Sequence, residues 1–314
     1  MNLFLYLTII LLWGTTWIAM KNQVGVVPYD VSVIYRFATA AFILFFILLL
    51  KNARFRFSLK QHISMATLGI LLFCTNFAFF YRAAAYITSG LLAIIFSTSV
   101  IMIMLNNTLF FKKKTTSRMI AGGTLGIMGL CLIFWPELES FSFNDATCIG
   151  ILYGLVGTYS FSLANQASTY CTKLEIPLLS STFFGMIYGA TFLTIICLIR
   201  GVEFTFDPSL PYVVSLLHLA IPGSVIGFLT YLTLIKRIGP EKAVYATLFF
   251  PLVALTISTF YESFEWVWED FAGFALILLG NFLVMAKAAT LASFKRKFSF
   301  QGVTTPPISN TPAQ

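Results

Sequence analysis

Apolar runs of membrane length alternate with short polar connections along this chain. Ten runs can be marked, at residues 3–20, 31–50, 63–81, 88–111, 119–135, 147–170, 178–199, 212–235, 243–261 and 271–289. A helix rises ~1.5 Å per residue, so about 20 residues cross ~30 Å of hydrocarbon. Each run is therefore expected to form one crossing. Only residues 51–62 and 136–146 read as loops of any size, and no connection is long enough for a separate soluble domain. Residues 290–314, rich in Pro, Ser and Thr and without a period, read as a disordered tail. The first run lacks a basic leader and a small-residue cleavage site, so it reads as a retained span.

Composition supports lipid as the main solvent. The chain has 314 residues, 58% hydrophobic and 10% charged, with a mean hydropathy of +0.87. Soluble domains carry about 25% charged residues. Cations resist translocation and so mark the cytoplasmic side. With the N-terminus inside and all ten runs crossing, sixteen Lys and Arg fall on inner segments and three, Lys21, Arg82 and Arg200, on outer ones. The net charge of +8 then reflects membrane insertion facing anionic headgroups. It gives no sign of a nucleic-acid partner. Both termini are expected in the cytoplasm.

Shifting the sequence by 151 residues lays Ala121–Gly129 (AGGTLGIMG) on Ala272–Gly280 (AGFALILLG), with both glycines of a G-x6-G spacing in phase. Val100 then faces Pro251 and Phe111 faces Glu262. Identity is sparse, but span boundaries stay in phase without a gap. The chain reads as two five-helix repeats, 1–146 and 147–289. Five is odd, so the second repeat enters the membrane upside down. Inverted repeats of this kind build secondary transporters, with the substrate site near mid-membrane at the repeat interface. The expected fold is an all-α integral membrane protein of ten transmembrane helices. Pro251, inside the ninth run, removes a backbone donor and is a candidate hinge. A packing kink is its alternative.

These features resemble EamA-type members of the drug/metabolite transporter superfamily. The resemblance rests on WGTTW (Trp13–Trp17) in the first run, YRF (Tyr35–Phe37) in the second, and a Pro251…Glu262…G-x6-G order across the last two. It runs to about residue 289. It implies a ten-helix carrier of the bacterial cytoplasmic (inner) membrane and not an enzyme. Amino-acid-like solutes moving outward are the first expectation, and uptake or exchange of a nucleotide-derived cofactor is the alternative. The first half departs from the pattern. Val100 and Phe111-Lys112 stand where the family often has proline and Gly-Glu, which implies a straighter fourth span.

Polar residues at membrane depth are functional candidates. Arg36 is placed to take a substrate carboxylate bidentately or to bond a helix end. Trp13, Thr16, Trp17 and Met20 form one stripe at i, i+3, i+4, i+7. Asn76, Tyr159, His218, Tyr231 and Tyr245 complete the set of cavity candidates, with interhelical hydrogen bonding as the competing role for each. His218 is the only histidine inside a span, which suits proton coupling or a neutral hydrogen bond equally. Gly154, Gly157, Gly223 and Gly227 permit close helix approach.

No P-loop occurs, and His62 and His218 form no metal spacing, so neither cofactor nor metal is expected. The five cysteines are odd in number and scattered through apolar runs, which fits free buried thiols better than disulfides. A membrane enzyme acting on lipids would need a catalytic cluster at one surface. The acidic stretch 262–270 is the nearest approach to one. The expected partners are a small-molecule metabolite and membrane lipid. Monomer and homodimer are both open.

Overall fold

The fold begins to repeat where α2, Tyr29–Leu50, and α7, Leu178–Ile199, start. Pro28 and Pro177 stand at their N-caps with extended ψ, where a missing N–H costs nothing. Both helices have 22 residues. Both end in a left-handed residue, Asn52 and Gly201, and the next N–H reaches back to close the last turn: Ala53 to Leu48 and Val202 to Cys197. Asn and Gly are the residues that tolerate this conformation most readily. Two stretches with little common sequence thus use the same start and stop.

This computed structural model describes residues 2–23, 25, 27–87, 89–112, 114–139, 145–253, 256 and 267–285. The other helices are α1 Asn2–Lys21, α3 Leu59–Ala84, α4 Leu91–Phe111, α5 Ser117–Ile133, α6 Asp145–Lys173, α8 Leu210–Ile238 and α10 Trp268–Met285. Between α8 and α10, α9 opens with Pro240–Ala243, tightens to a 3-10 helix over Val244–Phe249 and returns to α-helix at 250–253. Trp135–Glu139 adds one short turn. Six helices, α2, α3, α4, α6, α7 and α8, are long and apolar enough to cross a membrane. Asn2–Thr16 and α5 are shorter apolar helices. Glu262, Lys287 and the tail lie outside the described residues.

The repeat is visible inside the helices as well as at their ends. A π-helical segment interrupts α3 at Ile70–Thr75, and another interrupts α8 at Leu219–Ile226. The 151-residue shift places the first on residues 221–226 of the second. Such segments leave backbone groups without their usual partner and concentrate at functional sites. At the interface of the halves, α5 and α10 run antiparallel with their glycines meeting. A Cβ on Gly122 would stand 2.6 Å from the Gly280 carbonyl, and one on Gly129 2.5 Å from that of Gly273. The same shift turns one of these contacts into the other, so α5 and α10 cross about a local pseudo-twofold axis.

Three local expectations are corrected. The loop 51–62 ends earlier, because Ser58 and Gln61 form a capping box that starts α3 at Leu59. The fourth span lacks proline yet is not an unbroken α-helix. Its α-helix breaks at Thr98, where the hydroxyls of Ser97 and Thr98 each donate to the carbonyl three residues back, at 2.6 Å, and compete with the helical ladder. Of the cysteines, Cys74, Cys171 and Cys197 are buried. Cys131 is half-buried and Cys148 faces outward.

Candidate functional site

The π segment of α8 is the foundation of the candidate site. Pro222 lies in it and donates no hydrogen bond. Two carbonyls there take side-chain donors instead. Trp13 Nε1 donates to the Gly223 carbonyl at 2.9 Å, and Ser224 Oγ donates to that of Leu219 at 2.8 Å. Glycine is needed for the first contact. A Cβ on Gly227 would stand 2.4 Å from Trp13 Nε1, and one on Gly223 2.9 Å from Thr16 Cγ2. Glycines at 223 and 227 therefore let α1 dock against α8 and hold the Trp13 ring rigidly.

Arg36 joins the same segment from α2. Its Nε donates to Ser224 Oγ at 2.8 Å, which continues the chain to the Leu219 carbonyl. The guanidinium carbon lies 4.7 Å from the Phe77 ring centre and 5.2 Å from that of Phe37. Arg36 is only 2% exposed, and among the described residues its Nη1 makes no well-formed hydrogen bond, although the buried Tyr81 hydroxyl interacts with the guanidinium. Nor does Asp30, earlier on α2, serve it. Asp30 pairs with Arg82 at 2.6 Å and with Arg200 at 3.4 Å. Among the described residues Arg36 has no ion-pair partner, so a charge that costs several kcal/mol to bury is left without an anion.

A cavity of about 80 Å³ lies beside this arginine. Trp13, Thr16, Met20, Arg36 and Asn76 line it together with Phe77, Phe80, Phe96, Phe161, Phe228 and Phe250. Its position along the helices is toward the C-terminus of α1 and the N-terminus of α2, away from the lysine-rich connections. Asn76 Nδ2 is already used, donating to the Gly157 carbonyl at 3.0 Å. The walls are otherwise aromatic, and Trp13 packs on Phe228, Tyr231 and Phe250 with ring centres 4.9–5.4 Å apart.

The other sequence candidates lie elsewhere. Tyr159 is 44% exposed on the outer side of α6. It is two residues, some 200° of helix, from Gly157, which faces α3, so helical phase turns it away from the cavity. Tyr231 lies beneath the cavity, fully buried, and donates to Asn165 Oδ1 at 2.9 Å. Tyr245 is also fully buried and bonds the Met119 carbonyl, tying α9 to α5. His218 is half-buried, with Nε2 3.1 Å from Thr15 Oγ1. Pro251 is buried in α9. The Trp17 side chain lies outside the described residues.

Sequence reasoning missed the phenylalanine wall. Its only signal was the total of 34 Phe, which says nothing about which face each occupies. It also missed the closure of the lysine-rich half. There Asn107 Nδ2 donates to Glu241 Oε1, Asn106 Nδ2 to Ser162 Oγ at 2.9 Å, and the Tyr6 hydroxyl to Asn281 Oδ1. Each bond joins a helix of the first repeat to one of the second.

The comparisons agree with this architecture. The EamA-like transporter family matches residues 1–135 and 148–286. Protein PagO of Salmonella typhimurium is 26% identical over 285 residues, covering 90% of this chain and 91% of its own. The uncharacterized inner membrane transporter YedA of Escherichia coli K12 is 25% identical over 286 residues, covering 88% and 90%. The uncharacterized transporter YoaV of Bacillus subtilis is 23% identical over 250 residues, covering 79% and 84%. A solved crystal structure shares the fold, with a TM-score of 0.75 at 16% identity over 92% of this chain and 98% of the other. With the family matched across both halves, this chain belongs to the EamA-like transporter family.

Proposed function

We propose that this transporter carries a small carboxylate-bearing solute with an apolar part, most simply an amino acid, outward across a bacterial cytoplasmic membrane. Ten crossings, two inverted repeats bounded at 146/147 and cytoplasmic termini complete the reading, on the strength of the charge asymmetry. The observation that carries the proposal is Arg36. It is a buried guanidinium without a carboxylate partner among the described residues, on the wall of a largely aromatic cavity. A carboxylate would satisfy it with charge-assisted bonds, and the phenylalanines would hold the apolar remainder. Transport follows by rocking of the halves about this site, with the Asn107–Glu241 and Tyr6–Asn281 bonds opening when the inner side opens. Outward direction rests on the family resemblance.

Size favours the amino acid over the nucleotide-derived cofactor. One water needs ~10–15 Å³ of such a cavity, so 80 Å³ holds roughly six waters, about 180 Å³ of liquid. That suits an amino-acid-sized solute and is too small for a dinucleotide. Proteoliposomes preloaded with unlabelled amino acids test the reading. Counterflow of a labelled amino acid is expected, and its decarboxylated amine should not compete. Equal competition by the amine, or counterflow with a dinucleotide alone, would replace this substrate class.

A further inference from the structure

A second and larger hollow, about 890 Å³, opens on the flank of the molecule. It lies where α3 and the end of α4 both pack against α6 but leave a gap between themselves. Hydrogen bonds hold its two long walls in register. Gln61 Nε2 donates to the Leu174 carbonyl at 3.1 Å, and Ser64 Oγ lies 3.1 Å from Cys171 Sγ. The start of α3 and the end of α6 therefore meet, and Lys60 and Lys173 stand at the same end of the groove. Lys173 Nζ sits 4.0 Å above the ring centre of Phe111 at the end of α4. Away from these cations the lining is mostly apolar, interrupted by Ser64, Thr67, Gln166 and Tyr170, with Ile63 and Phe110 more than half exposed.

The dimensions and charge together identify an occupant. Lys60 and Leu71 are eleven helical steps apart on one stripe of α3, about 16 Å at the helical rise. Half the ~30 Å hydrocarbon thickness is ~15 Å, so the groove runs the depth of one leaflet. Its cationic end is the lysine-rich end of the bundle. We infer that this groove is a binding site for one anionic phospholipid, its phosphate between Lys60 and Lys173 and an acyl chain along the α3 and α6 stripes. The site is separate from the aromatic cavity and shares no lining residue with it. The bound lipid fills a gap between helices of the first repeat that side chains leave open.

Native mass spectrometry of the purified full chain tests the assignment. The protein is exchanged into detergent with phosphatidylglycerol and phosphatidylcholine of identical chains. Each lysine near a membrane surface favours anionic lipid by about 1 kcal/mol, so a preference of roughly thirtyfold for phosphatidylglycerol is expected. The double variant Lys60→Gln with Lys173→Gln should lose it. Lys60→Arg with Lys173→Arg should keep it, as should Lys236→Gln with Arg237→Gln at the other repeat. Ile63→Trp fills the groove without altering charge and should displace the lipid, which covers the case in which the glutamine variant fails to fold. Excess inorganic phosphate should not displace it. Equal retention of both lipids by the wild type, an unchanged preference in the glutamine variant, wild-type retention by Ile63→Trp, or displacement by phosphate would overturn the assignment.

Discussion

Gly129 of α5 rests against the backbone carbonyl of Gly273 in α10, and the related pair Gly122 and Gly280 does the same seven residues away. At these crossings the two repeats touch main chain to main chain. Lipid offers no hydrophobic drive for helices to associate, so close packing of small residues supplies much of the attraction. Gly280→Ala places a methyl group 2.5 Å from the Gly122 carbonyl. A loss of about 1–3 kcal/mol is expected, as for other overpacked sites. It would be measured as a lower thermal unfolding midpoint in detergent. Leu279→Ala, on the neighbouring half-exposed position, should barely move it.

Arg36 and Ser224 should contribute unequally to solute recognition. Arg36→Lys keeps the charge but loses the planar fork and the bond from Nε to Ser224 Oγ. Charged hydrogen bonds contribute about 1.5–3 kcal/mol, so apparent affinity in counterflow should fall roughly 10- to 100-fold. Ser224→Ala leaves the guanidinium in place and frees only its anchor. A net hydrogen bond of about 1 kcal/mol predicts a loss near fivefold. Equal KM values for the two variants would mean that Arg36 holds helices together and does not touch the solute.

The inner closure makes a third expectation. Asn107 is fully buried, and its amide donates to the Glu241 carboxylate across the repeat boundary. Under the proposed rocking of the halves, Asn107→Ala removes a charge-assisted bond that must break when that side opens. At about 1.5–3 kcal/mol, the open population should rise by roughly one to two orders of magnitude. Ser162→Cys, introduced into a variant lacking the five native cysteines, reports on this. Ser162 is fully buried beside Asn106. Its labelling by a membrane-impermeant maleimide from the lysine-rich side should accelerate when Asn107 is lost, and an unchanged rate would remove Asn107 from the closure.

What was legible in the sequence follows from periodicity. Membrane-length runs and the G-x6-G pair are local or symmetric signals, and they located most of the helices and the α5–α10 crossing. The stripe Trp13, Thr16, Met20 and the buried Arg36 were legible for the same reason, since helical phase places them on chosen faces. Tyr159 shows the limit. In a helix apolar on every side, phase relative to neighbours decides what a tyrosine meets, and nothing in α6 alone supplies that reference. Contacts such as Asn107–Glu241 depend on two helices 134 residues apart in the chain, so no spacing rule announces them. The π segments were also silent. Pro222 lies in one of them, but its partner at Ile70–Thr75 contains no proline at all.

Pro251 shapes α9 from the residue after the cavity wall. Lacking an N–H, it cannot bond the Thr247 carbonyl, and the Phe250 N–H takes that role. That bond closes the 3-10 helix Val244–Phe249, which precedes the proline. A 3-10 segment rises ~2.0 Å per residue against ~1.5 Å for an α-helix, so six residues gain about 3 Å. That extension sets the height of Phe250, whose ring meets Trp13 at 5.4 Å and lines the cavity. Pro251→Leu restores the donor and lets the segment relax toward α-helix, drawing Phe250 out of position. The transport rate per inserted molecule should fall roughly tenfold, as for other hinge positions, while the amount inserted changes less than about twofold. Counterflow rates normalised to a fluorescent tag separate the two quantities. A parallel fall in both would make the proline a folding element and leave the height of Phe250 without a role in transport.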